Sequence, residues 1–159
     1  MTSVPSRSEA WSAALALAAV VVVLDQSTKQ LVATSVTRGD SVRLPLGFEI
    51  VNVRNSGVAF GLLSGGEGLV LAFTLGTLAL VLAYFALHSE RAGLWLSVGL
   101  LSGGALGNLA DRVRTGTVID FIDPPFWPAF NLADVAIVAG VAMLAAILTA
   151  HDVADGRSH

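Results

Sequence analysis

At 159 residues, with 54% of them hydrophobic and 13% charged, the chain is too short for several domains and too apolar for an ordinary water-soluble one. Its net charge of -3 includes no block of like charges, which argues against a nucleic-acid partner, and the absence of cysteine removes thiol catalysis, disulfides and thiolate metal sites. The three histidines, His88, His151 and His159, form no HExxH spacing and no GxSxG accompanies them, so any hydrolytic chemistry falls to carboxylates.

In chain order, four apolar stretches approach the roughly 20 residues that a helix needs to cross a bilayer. They cover 10–28, 69–87, 92–110 and 132–150, within one membrane domain spanning 1–159. Arg7 before the first stretch imitates a secretory leader, yet no A-x-A pattern follows, so that stretch reads as a retained helix. The insert 30–66 differs in texture. Around Pro45-Leu-Gly47 its β-branched residues predict a small strand pair, which must lie at the interface or in water because open edges are not satisfied in hydrocarbon. The fold class is therefore an all-α polytopic membrane protein of four transmembrane helices with a small β insert between the first two.

Successive helices cross in alternating directions, and the polar residues follow that alternation. Asp25 and Lys29 close the first span, Asn55 precedes the second, Asn108, Asp111 and Arg112 close the third, and Asn131 and Asp134 open the fourth, all at one end. Trp127 falls near this polar interface, Trp11 and Trp95 near the plain one. Basic residues, counted naively, put the polar end in the cytoplasm. Setting aside Lys29, Arg54 and Arg112 as site residues balances the two ends, so charge gives no orientation. Gly99, Gly103 and Gly107 form overlapping GxxxG steps, read as packing within the molecule; the same pattern would also serve a homodimer.

Asp25 and Lys29, four apart, share one helical face and can pair, in which case the lysine stays protonated and is not a base; an interfacial anchor is the equal alternative. Asn55 and Gly57 supply an amide and a flexible turn. Asn108, Asp111 and Arg112 converge at a membrane edge, where Asp111 and Arg112 read as scaffolding. Asp120 and Asp134 both sit in apolar sequence. Two carboxylates brought close in such surroundings share one proton, the condition for activating water against a carbonyl without a metal or other cofactor. Asn131, three before Asp134, orients an aspartate or holds substrate; equally, Asn131 suits a helix N-cap and Asp134 its first turn, so spacing alone leaves both readings open. Asp123, before Pro124-Pro125, is the second-choice acid. Two rival readings use the same acids: a proton or cation transporter, and a hydrolase holding magnesium on Asp111, Asp120, Asp123 and Asp134.

Five ordered motifs, Asp25-Gln-Ser-Thr-Lys29, Asn55-Ser-Gly-Val-Ala-Phe60, Gly103-Gly-Ala-Leu-Gly-Asn-Leu-Ala-Asp-Arg112, Val118-Ile-Asp-Phe-Ile122 and Phe130-Asn-Leu-Ala-Asp134, resemble bacterial lipoprotein signal peptidase, also called signal peptidase II. The resemblance implies that Asp120 and Asp134 are a catalytic dyad and that Asp25, Lys29, Asn55, Asn108, Asp111, Arg112 and Asn131 line or brace the site. It implies an enzyme of the bacterial cytoplasmic membrane, with the site on the extracytoplasmic face and the β insert as a cradle; a monomer is the expectation, although sequence does not fix the oligomeric state. The implied partners are a prolipoprotein whose cysteine carries diacylglycerol, membrane lipid, and the cyclic peptide inhibitor globomycin. Val58 and Gly61 depart from the alanine and serine common in the family.

Overall fold

The computed structural model describes residues 5–57 and 66–155; Val58 and Gly61 lie outside them. Helix α1 (Arg7–Ser35) is followed by strands β1 (Ser41–Arg43) and β2 (Glu49–Asn55), helices α2 (Gly66–His88) and α3 (Leu94–Thr115), strand β3 (Val118–Asp123) and helix α4 (Leu132–Asp155). Helix α1 opens on a capping box, in which Ser6 accepts from the Glu9 backbone and the Glu9 side chain accepts from Ser6. It does not stop at 28, as the sequence suggests. No breaker intervenes before Gly39, and Val32 and Val36 bury against Phe121 of β3, so the helix takes residues 30–35 from the insert.

Among the described residues, α1, α2 and α4 are long and apolar enough to cross a membrane. Their outward faces carry exposed Leu15, Val23, Phe73, Leu80, Leu87 and Val138, the disposition expected when lipid is the solvent. Helix α3 runs to Thr115, past the span 92–110, and is less apolar because small residues and Asn108, Asp111, Arg112 and Arg114 make up much of it. The small residues are what let it sit against both α1 and α4. A Cβ on Gly103 would lie 2.6 Å from Val21 Cβ and 2.9 Å from the Ala18 carbonyl, and one on Gly104 would collide with the Ala133 carbonyl. The glycine stripe thus packs inside the molecule.

The predicted strand pair is one edge of a three-stranded antiparallel sheet, in the order β1-β2-β3. The third strand comes from the α3–α4 connection and was not legible, because burial on both faces leaves Val118, Ile119, Asp120 and Phe121 without alternation. A register shift between Ile50 and Val53 adds one residue to β2 relative to β3. Beyond it, Val53 pairs with Asp120 and Asn55 with Val118, which makes Asn55 and Asp120 diagonal neighbours on the sheet.

Candidate active site

The polar residues that alternate along the sequence gather at the end of the helices nearest the sheet. Their base is Lys29, 1% exposed, whose ammonium has three hydrogens and three acceptors: Asp25 Oδ2 at 2.8 Å, Asp111 Oδ2 at 2.9 Å and Asn108 Oδ1 at 2.8 Å. A buried ammonium survives only when so compensated. Asp25, fully buried, uses its other oxygen to accept from the Ala133 backbone at 3.0 Å, one of the free donors at the start of α4. Asp111 also accepts from the backbone of Ile119 at 3.3 Å, which fixes the entry to β3. Both acids are therefore braces, joining α1 to α4 and α3 to the sheet.

Gln26 belongs to this network, although the sequence reading passed over it. Its amide donates to Asp25, Asp111 and the Gly107 carbonyl, and its oxygen accepts from Arg114. The available signal was an amide beside Asp25 at the end of an apolar span, a position costly to fill without a partner.

Above Lys29, two asparagines distribute the contacts. Asn108 donates to Asp134 Oδ1 at 2.8 Å while its oxygen accepts from Lys29 and, at 3.2 Å, from Asn131. Asn131 is fully buried and donates to Asp120 Oδ1 at 2.7 Å. It is also the N-cap of α4. Its side chain accepts from the Asp134 backbone at 3.0 Å, and the Asp134 carboxylate accepts from the Asn131 backbone at 3.2 Å, a reciprocal capping arrangement. Of the two readings left open by spacing, the cap is observed, and it leaves the Asn131 amide nitrogen free to donate to Asp120.

Asp120 Oδ2 accepts from Asn55 at 2.9 Å. The Asn55 oxygen accepts from the Gly57 backbone at 2.8 Å, a turn that needs the positive φ of Gly57, and a side chain there would meet the Arg112 guanidinium at 3.2 Å. Burial pushes the Asp120 carboxyl above the usual aspartate range; the hydrogen bonds from Asn55 and Asn131 oppose that shift, and the nearby Asp134 adds to it. Among the described residues neither Asp120 nor Asp134 forms an ion pair, in contrast to Asp25 and Asp111. Asp123 lies at the far end of β3, opposite Glu49.

A cleft of 280 Å³ between α2, α3 and α4 opens at Asn108, Arg112 and Asp134 and continues among Phe73, Leu78 and Ile137. The buried Arg112 Nε has no hydrogen-bond partner among the described residues. A cationic donor lining an apolar cleft together with the Asp134 carboxylate is suited to receive a carbonyl-bearing chain.

Fold and site together define an integral membrane protein whose polar centre joins a helical bundle to a small sheet. The family described as Signal peptidase (SPase) II matches residues 17–150. The chain is 45% identical to the lipoprotein signal peptidase of Pelotomaculum thermopropionicum over 129 residues, covering 80% of this chain and 85% of that one. The corresponding protein of Moorella thermoacetica is 43% identical over 133 residues, with 82% and 88% covered. A solved bacterial membrane enzyme superposes with a TM-score of 0.79 at 35% identity, over 85% of this chain and 91% of the other. The chain belongs to the signal peptidase II family, and so to the peptidases.

Proposed function

We propose that this chain is a membrane aspartic endopeptidase that removes the signal peptide from prolipoproteins whose cysteine carries diacylglycerol. One observation carries the reading: Lys29 takes up Asp25 and Asp111, which leaves Asp120 and Asp134, bridged through Asn131, as acids that among the described residues are held by neutral amides. Such a pair retains one proton between them. Asp120, whose burial favours the protonated form, hydrogen-bonds the scissile carbonyl oxygen. Asp134 takes a proton from water as the water oxygen bonds to the carbonyl carbon. When the tetrahedral intermediate collapses, the carbon–nitrogen bond breaks and the proton on Asp134 goes to the leaving amine. Arg112 steadies the peptide backbone, and Asn55, Gly57, Asn108 and Asn131 hold the acids in register.

The apolar cleft below Asp134 takes the part of the substrate that lies in lipid, and the sheet forms a cradle above it. Helix α3, with 22 residues, rises about 33 Å and crosses the bilayer as the fourth span despite its composition. The site then faces the extracytoplasmic side of the bacterial cytoplasmic membrane, and the enzyme works as a monomer that globomycin blocks by occupying the same cleft. The reading is tested with purified full-length chain in detergent, a prolipoprotein with and without diacylglycerol, and separation of the signal peptide on a gel. Cleavage confined to the lipid-modified form, and stopped by globomycin, is expected. Equal cleavage of the unmodified form contradicts the substrate assignment.

A further inference from the structure

A cavity separate from the site lies at the opposite end of the bundle. It encloses 740 Å³ between the start of α1, the α2–α3 turn and the last turns of α4. Arg7, His88 and Arg91 supply its cationic or donor groups, Glu90 stands among them, and Leu87 and Ile147 form an apolar wall. None of these residues contacts the Lys29 network.

Among the described residues, each guanidinium is held by an uncharged oxygen. Arg7 Nη2 donates to the Ala86 carbonyl at 2.8 Å, and Arg91 Nη1 donates to the Tyr84 hydroxyl at 2.7 Å. Tyr84 in turn stacks on His88, with ring centroids 4.4 Å apart. Because a carbonyl only accepts, the 3.0 Å contact of His88 Nδ1 with the Tyr84 carbonyl assigns a proton to Nδ1. Neither arginine pairs with an acid among the described residues, Glu90 included. Among the described lining residues, two guanidiniums and one carboxylate leave one positive charge, the complement of a single phosphodiester. Leu87, 80% exposed, continues the wall onto the lipid-facing side of α2, and Trp11 and Trp95 lie at this end, where interfacial aromatics mark the headgroup level.

We propose that this cavity binds the headgroup of an anionic phospholipid, with Arg7 and Arg91 on the phosphodiester and Leu87 and Ile147 against the first methylenes of its chains. Basic pockets between membrane helices recognise lipid headgroups in this manner. The apolar wall separates the proposal from a site for soluble phosphate, which would gain nothing from it.

The test uses the full-length chain in neutral detergent and counts retained lipid by native mass spectrometry. The probes are phosphatidylglycerol, phosphatidylcholine with the same chains, and inorganic phosphate. Wild type is expected to retain phosphatidylglycerol in preference to phosphatidylcholine, and R7Q/R91Q to bind it about thirtyfold more weakly, from the known effect of a basic side chain at an anionic lipid surface. R7K/R91K, which keeps the charge, is expected to restore most of the affinity. Cleavage in detergent stays unchanged in both variants. Equal retention of phosphatidylglycerol by wild type and R7Q/R91Q overturns the proposal, and so does displacement of that lipid by inorganic phosphate at similar concentration. Glu90→Gln supplies a second route should R7Q/R91Q fail to fold: it removes the opposing charge, so tighter lipid binding is expected and unchanged or weaker binding overturns the proposal.

Discussion

Lys29 illustrates how little a residue's type says about its task until its acceptors are counted. With every ammonium hydrogen engaged and 1% exposure, it stabilises a junction of α1, α3 and α4. Replacing it with alanine leaves Asp25 and Asp111 buried without a counter-charge, and we predict a loss of about 3–5 kcal/mol, the usual cost of breaking a buried pair. Thermal unfolding in detergent measures it; an unchanged midpoint contradicts the bracing role. Asp120 gives a prediction in pH. Its carboxyl is raised by burial and lowered by the hydrogen bond from Asn55, so Asn55→Leu raises it further. The protonated form that the mechanism requires then persists to higher pH. Activity falls overall, while the alkaline limb of the pH–rate profile moves upward; a downward shift contradicts the assignment. The same raised pKa means that Asp120 favours folding below its unfolded value and that this contribution is lost as pH rises through the folded one.

Among the elements, α3 depends most on its small residues. Gly103→Ala sets a methyl group against Val21 and the Ala18 carbonyl, so α1 and α3 must separate. Overpacking of this kind costs about 1–3 kcal/mol, and a lowered unfolding midpoint with unchanged oligomeric mass is expected. Unchanged stability, or a change in oligomeric mass alone, contradicts packing within the molecule. The helices were legible because apolar length is a coarse signal, and the polar ends because span parity sorts them. The Lys29–Asp25 pair followed from a spacing of four on one helix. Strand β3 and the contact of Asn55 with Asp120 were not legible, since they depend on a register shift in β2 and on burial of both faces of β3. Helix ends were legible only to within a turn or two: α1 gains residues to Ser35 through Val32 packing on β3, and α3 ends at Gly116, whose left-handed backbone closes onto Arg112.

For the whole molecule, α1, β2, α3, β3 and α4 each contribute to one polar centre at one end, while the other end holds the cavity with Arg7 and Arg91. Orientation is the property that charge leaves undecided. The chain has no cysteine, so single cysteines report cleanly. Ser41→Cys, exposed on β1, is expected to react with a membrane-impermeant maleimide in cells whose cytoplasmic membrane is intact. Glu90→Cys, exposed in the α2–α3 turn, is expected to react only after permeabilisation. The reverse pattern contradicts an extracytoplasmic site. The central claim is that Asp120 and Asp134 together perform the hydrolysis while Asp25 and Asp111 do not. Its most direct measurement is the single-turnover cleavage rate of lipid-modified prolipoprotein by Asp120→Asn and Asp134→Asn, each shown to unfold at the wild-type temperature. Near-complete loss in both variants is predicted; a wild-type rate in either one contradicts the dyad.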